Sequence, residues 1–165
     1  MIFLYACALL LTQETISQKL LNERVLVCVD LAAKAIDESL DPSLMISIAW
    51  VESRFDPKAI SRAGAIGVLQ ILPRYFCPNR SRRGCDTIKA GFKAWRAWRQ
   101  RSPSDVVALC RYNAGNRCTR QGKRYARTVI RARRLVRRNA LWQTDRRFRT
   151  ILGGSLLWRS APWQK

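Results

Sequence analysis

Residues 41–55 read DPSLMISIAWVESRF, and this stretch decides the fold. Asp41-Pro42 is a helix start, with an acceptor side chain at the cap and proline at the first helical position, where its missing N–H costs nothing. From Leu44 onward the helix is apolar at almost every angle. Leu44, Ile48, Val51 and Phe55 share one face, and Met45, Ile46, Ala49 and Trp50 fill most of the rest. A helix apolar all round belongs inside a domain, so this one is expected to run buried to about Arg54. Glu52 is at odds with that setting. At the carboxyl end of a buried helix it would feel desolvation and the negative end of the helix dipole, and both raise a carboxyl's pKa. An acid still protonated near neutral pH is what general acid catalysis requires. The same residue also reads as an exposed helix-end glutamate paired to Arg54 or another arginine, and periodicity alone does not choose.

Outward from this helix the chain reads as helical nearly everywhere. Val25, Cys28, Val29, Ala32 and Ile36 fall at helical spacing within Asn22 to Leu40. Gly64 to Tyr75 reads as a glycine-containing turn followed by a short helical segment. Thr87 to Arg101 is a further helix carrying Trp95 and Trp98, and Ser104 caps another that stops at Ala114-Gly115-Asn116. From Lys123 to Asn139, Tyr125, Val129, Ala132, Leu135 and Val136 recur among arginines, again at helical spacing. No strand, repeat or linker is apparent. The length of 165 residues suits one domain. The expected fold class is therefore mainly α: an apolar segment over 1–17, one helical domain over 22–139, and a basic aromatic tail over 140–165.

Composition narrows the chemistry. A formal net charge of +20 predicts attraction to polyanions such as nucleic acid, anionic lipid or acidic wall polymers. The absence of histidine removes the commonest metal ligand and the commonest general base, so acid–base work must rest on carboxylates, Lys, Tyr or Cys. No metal and no cofactor is expected. Of six cysteines, Cys77/Cys85 and Cys110/Cys118 form two local pairs without the spacing of a zinc or redox motif. They read as disulfides, which favour an oxidising, extracytoplasmic compartment, with buried helical thiols the alternative for Cys110 and Cys28. MIFLYACALLL at the amino terminus has the length of a signal-peptide core and is too short to span a bilayer. It lacks a preceding basic residue, and a cleavage position after Ser17, a lipid-attachment site at Cys7 and a simple first helix are the three readings open to it. If Cys7 is removed, Cys28 has no obvious partner.

ESRFDPKAISRAGAIGVLQILP at 52–73, ALCRYNAGN at 108–116 and YARTVI at 125–130 closely resemble the lytic transglycosylases with a soluble-lytic-transglycosylase catalytic domain, relatives of goose-type lysozymes. The resemblance covers about 40–136. It implies a single lysozyme-like helical domain that cleaves the β-1,4 bond between N-acetylmuramic acid and N-acetylglucosamine in peptidoglycan. In that family Glu52 matches the one catalytic acid and base, and Ser53 the serine beside the substrate. Gly64, Gly67 and Gln70 match the turn whose glutamine bonds the sugar. Tyr112 and Asn113 match the pair lining the cleft opposite the acid, and Tyr125 a later tyrosine that approaches the carboxylate. Each also has a plainer reading: the glycines as turn formers, Ala114-Gly115 as a helix stop, Tyr125 as core.

A retaining glycosidase needs a second carboxylate about 5–5.5 Å from the acid and an inverting one about 6.5–9.5 Å away. Asp56 is the only acid nearby in sequence, and before Pro57 it reads as a turn residue. The resemblance supplies the alternative: the muramic acetamide stabilises the cationic centre, and the sugar's own 6-hydroxyl closes a 1,6-anhydro ring. A hydrolase on the same fold and a non-catalytic polyanion- or wall-binding protein are the competing readings. Leu69 replaces a common methionine at little cost in volume. Arg111 stands where a small residue commonly precedes the Tyr112-Asn113 pair, so the cleft rim or an anionic stem peptide would be contacted differently. The expected partner is the glycan strand, acted on by a monomer that is exported to the periplasm or beyond, with membrane association through the amino-terminal segment. Anionic envelope polymers and a membrane surface remain as further partners, nucleic acid is disfavoured by the motifs, and the setting is a phage, secretion or conjugation machine or wall turnover. Trp142, Phe148, Trp158 and Trp163 of the tail suit a glycan, a lipid headgroup, a protein partner or packing on the domain.

Overall fold

The computed structural model describes residues 3–12 and 14–144, with side chains through 140. The aromatic residues expected to act in the tail lie outside the described side chains. In chain order the helices are α1 (Leu4–Leu11), α2 (Gln18–Asp37), α3 (Pro42–Ser53), α4 (Pro73–Phe76), α5 (Thr87–Gln100), α6 (Asp105–Ala114) and α7 (Arg120–Thr144), with one 3-10 turn at Pro78–Arg80. Among the described residues there is no strand, only bridges pairing Ile66 with Ile60 and with Ile71. The fold is mainly α, as the periodicity requires.

The apolar α3 lies at the centre. Every residue from Ser43 to Ala49 is buried, and α7 and α2 pack against it. Asp41 starts α3 as expected, its Oδ1 accepting from the backbone N–H of Ser43 at 2.9 Å and Leu44 at 3.3 Å. The same carboxylate takes the guanidiniums of Arg133 and Arg137 from α7, the latter at 2.8 Å. Burial pushes the Asp41 carboxyl up, but those two charges and the cap bonds outweigh it and hold it below its ordinary value. Arg133 also reaches Asp105, at the start of α6, at 3.2 Å. One arginine thus ties α7 to the first turns of α3 and α6.

The amino-terminal apolar segment is folded as a core helix. Ala6, Cys7, Leu10 and Leu11 of α1 are buried against α2 and α7, and Cys7 is bonded to Cys28 of α2. Cys28 therefore has the partner that the sequence left unassigned. Cys77 is bonded to Cys85 and Cys110 to Cys118, so Cys110 and Cys28 are not free thiols. The end of α1 reaches the centre of the fold through Glu14, whose carboxylate accepts from Arg54 at 2.9 Å. Among the described residues no helix is long and apolar enough to cross a membrane.

Candidate active site

Helix α3 ends by turning left-handed twice, at Arg54 (φ 55°) and Phe55 (φ 62°). Side chains rarely accept such a conformation. Here it is fixed from both sides: Phe55 is fully buried, and the Arg54 guanidinium stacks 4.2 Å over Trp50, donates to the Trp50 carbonyl and pairs with Glu14. Arg54 is thus engaged elsewhere, and Glu52, the next-to-last residue of α3, has no counter-ion among the described residues. Burial pushes its carboxyl from 4.5 up to about 7, opposed only by the nearby Tyr125 hydroxyl.

Two tyrosines surround this carboxyl. Tyr125, on α7, has a buried hydroxyl with no partner at hydrogen-bonding distance among the described residues; it lies close enough to Glu52 for its O–H to favour the ionised form. Tyr112, on α6, donates its hydroxyl to the Leu69 carbonyl at 2.7 Å. Burial raises both phenols well above their ordinary value, and the charge of Glu52 adds to the rise in each. Both therefore stay neutral and can only donate or accept hydrogen bonds.

The glycine-containing turn is held one carbonyl at a time. Gly67 accepts from Gln70 Nε2 at 2.9 Å, Val68 from Ser53 Oγ at 2.9 Å and Leu69 from Tyr112. A further bond, Gln70 Nε2 to the Ala59 carbonyl at 3.1 Å, closes the turn on its own base. At Gly67 φ is +72°, and an added Cβ would stand 2.5 Å from Thr87 Oγ1 on α5. Only glycine lets the turn seat against α5 there. Gln70 itself has φ 46°, the third non-glycine residue of this region forced into the left-handed well. With both amide hydrogens used, its carbonyl oxygen is what remains to face a ligand.

Glu52, Tyr112 and Tyr125 form one electrostatic cluster, and Ser53 and Gln70 fix the turn beside it. Asn113 follows Tyr112 but is exposed, and Gly64 is exposed at a turn closed by its own N–H to Ser61. Asp56 is a turn residue as expected, its Oδ1 accepting from the Lys58 N–H at 2.8 Å. Arg111 donates to the Arg101 carbonyl and to Ser102 Oγ at the α5–α6 turn. No residue pattern announced the Leu69 and Val68 carbonyls as anchors or Arg54 as the clamp, because backbone acceptors carry no sequence signature.

A helical domain centred on a buried helix, with one desolvated carboxyl near that helix's end, is a lysozyme-like domain. Its sequence places it more closely: the chain belongs to the Transglycosylase SLT domain family, whose family model matches residues 31–134. Over 35 residues it is 51% identical to the membrane-bound lytic murein transglycosylase C of Actinobacillus pleuropneumoniae serotype 5b (strain L20). The same holds for the proteins of that name from serotype 3 (strain JL03) and serotype 7 (strain AP76). The matched stretch is 21% of this chain and 10% of each relative. No solved structure matches the chain significantly.

Proposed function

We propose that the protein is a peptidoglycan lytic transglycosylase in which Glu52 is the single acid and base. What supports this reading most is the Glu52 carboxyl: half-buried near the end of α3, without a counter-ion among the described residues, and pushed by desolvation up to about 7. In the first step it gives its proton to the glycosidic oxygen between N-acetylmuramic acid and N-acetylglucosamine. The bond from that oxygen to the muramic anomeric carbon breaks, and the acetamide of the same sugar stabilises the cation. Glu52, now a carboxylate, is favoured by the Tyr125 O–H. It then takes the proton of the muramic 6-hydroxyl as that oxygen attacks the anomeric carbon. Glu52 regains the proton it gave, and no water is consumed.

Three features support the single-acid route. Burial and Tyr125 alone account for the shift at Glu52, with no contribution from a second carboxylate. Glu14, Glu38, Asp41, Asp56 and Asp105 are each paired to arginine. The Gln70 carbonyl oxygen and the Asn113 amide are available to sugar hydroxyl and acetamide groups. Three disulfides suit an exported protein working at the wall as a monomer, and the murein transglycosylase name of the partial relatives agrees with that substrate. A phage, secretion or conjugation machine, or wall turnover, is the setting to which such an enzyme would belong.

The test is digestion of purified sacculi by wild type and Glu52→Gln, with products examined by mass. Anhydro-muropeptides released by the wild type and lost in the variant support the proposal. Reducing-end muropeptides would mean hydrolysis on the same fold, and release undiminished in the variant would remove Glu52 from the reaction.

A further inference from the structure

The arginines of α7 sort into two sets. Arg133 and Arg137, beside the core face, are the ones that bind Asp41. The other set is Arg120, Arg124, Arg127, Arg131, Arg134 and Arg138, six arginines at steps of four, three, four, three and four. At about 100° per residue this spacing keeps them in one narrow row. The row lies about 150° from the buried face made by Tyr125, Val129, Ala132 and Val136. All six are exposed, and none has an acidic partner among the described residues. Helix α7 contains no acidic residue. Each successive pair in the row is therefore a like-charge neighbour at the spacing that destabilises a helix. Among the described residues these six charges meet no acid, so an external partner is the place to look for their use.

We propose that this outer face of α7 is a docking strip for an extended, phosphate-bearing polymer of the cell envelope. The row runs about 27 Å with a guanidinium roughly every 5 Å, one side chain wide, which matches a linear ligand better than a plane. At its amino-terminal end Arg120, Lys123, Arg124 and Arg127 line a hollow of about 490 Å³. Arginine in all six places favours forked bonding to phosphate oxygens. A bilayer fits less well: the apolar face of α7 is already in the core, leaving no side chain on the strip to enter lipid. The three disulfides favour an oxidising compartment, where nucleic acid is not the ambient polyanion. The strip is independent of the Glu52 chemistry and would hold the protein on the envelope while the cleft works.

The experiment compares the wild type with two quadruple variants of equal charge change. One neutralises the strip (Arg124→Gln, Arg127→Gln, Arg131→Gln, Arg134→Gln) and the other neutralises scattered exposed cations (Lys19→Gln, Arg62→Gln, Arg82→Gln, Lys93→Gln). Binding to synthetic poly(glycerol phosphate), single-stranded DNA and vesicles containing phosphatidylglycerol is measured across a salt series. The proposal expects poly(glycerol phosphate) to bind tightest per phosphate. The strip variant should lose at least tenfold in affinity, with a shallower salt dependence, and the scattered variant little. Equal losses in the two variants would reduce the effect to net charge, and preference for vesicles or DNA would assign the strip to those partners; each overturns the proposal. Thermal unfolding keeps the result readable, since the strip variant should melt no lower than wild type. Cleavage of short soluble glycans by the strip variant should be unchanged, so failure of the Glu52 mechanism and failure of the strip are separately visible.

Discussion

At the scale of single residues, the two tyrosines beside Glu52 are expected to behave differently although both carry a buried hydroxyl. Tyr112 holds the Leu69 carbonyl, so Tyr112→Phe leaves a buried acceptor unpaired and should cost about 1–3 kcal/mol in urea unfolding. Tyr125 has no formed bond to lose. Tyr125→Phe should leave stability nearly unchanged and, by removing the O–H that favours the carboxylate, raise the Glu52 pKa. The alkaline limb of kcat/KM, which should fall as pH rises through about 7 in the wild type, would then move to higher pH. Glu52 also carries a stability signature. The unfolded chain releases this proton near pH 4.5 and the folded protein near 7, so between those values the folded state binds more protons and rising pH weakens it. Glu52→Gln should therefore match wild type below pH 4.5 and be more stable above pH 7, by at most on the order of 3 kcal/mol. The desolvated setting of Glu52 was legible from the apolar helix that carries it. That Arg54 would turn away to Glu14 and Trp50 was not, since a glutamate two residues from an arginine looks equally like an ion pair.

At the scale of elements, helix starts were the most legible feature and helix-to-helix ties the least. Asp41 and Ser104 cap α3 and α6 where their sequences place them, because a cap is a local contest between a side chain and backbone N–H groups. Helix α7 instead begins three residues before the expected Lys123, at Arg120. Helical spacing sets Arg133 apart from the row on the outer face, but nothing in the sequence says that it crosses to Asp41 and Asp105. That tie predicts a difference within one helix: Arg133→Ala should cost about 2 kcal/mol in urea unfolding, whereas Arg131→Ala, two residues away and exposed, should be near neutral. The Asp41 carboxyl is held below its ordinary value of 3.8, so its contribution is present above that pH and lost as pH falls through the lowered value. The Arg133→Ala deficit should accordingly shrink in strong acid.

At the scale of the whole molecule, three disulfides and a central helix hold a small core in a chain whose net charge resists compaction. The Cys7–Cys28 bond closes the longest of the three loops, a separation of 21 residues against 8 for each of the others. Its removal by a Cys7→Ser, Cys28→Ser double substitution should cost about 3 kcal/mol, read as a fall in the thermal midpoint. The loss should exceed that for the Cys77 and Cys85 pair, because the longer loop has more entropy to regain. The class of fold was legible because a fully apolar helix has one place to go. The docking of α1 on α2 and α7 was not, because an apolar run of that length also suits an export signal and its pattern does not record what it packs against. The central claim remains that one carboxyl suffices because the substrate supplies its own nucleophile. Its most direct test is digestion of sacculi in heavy-oxygen water with mass analysis of the newly formed muramic ends. Unlabelled 1,6-anhydro ends are the predicted result; solvent oxygen at the anomeric carbon of those ends would contradict the account.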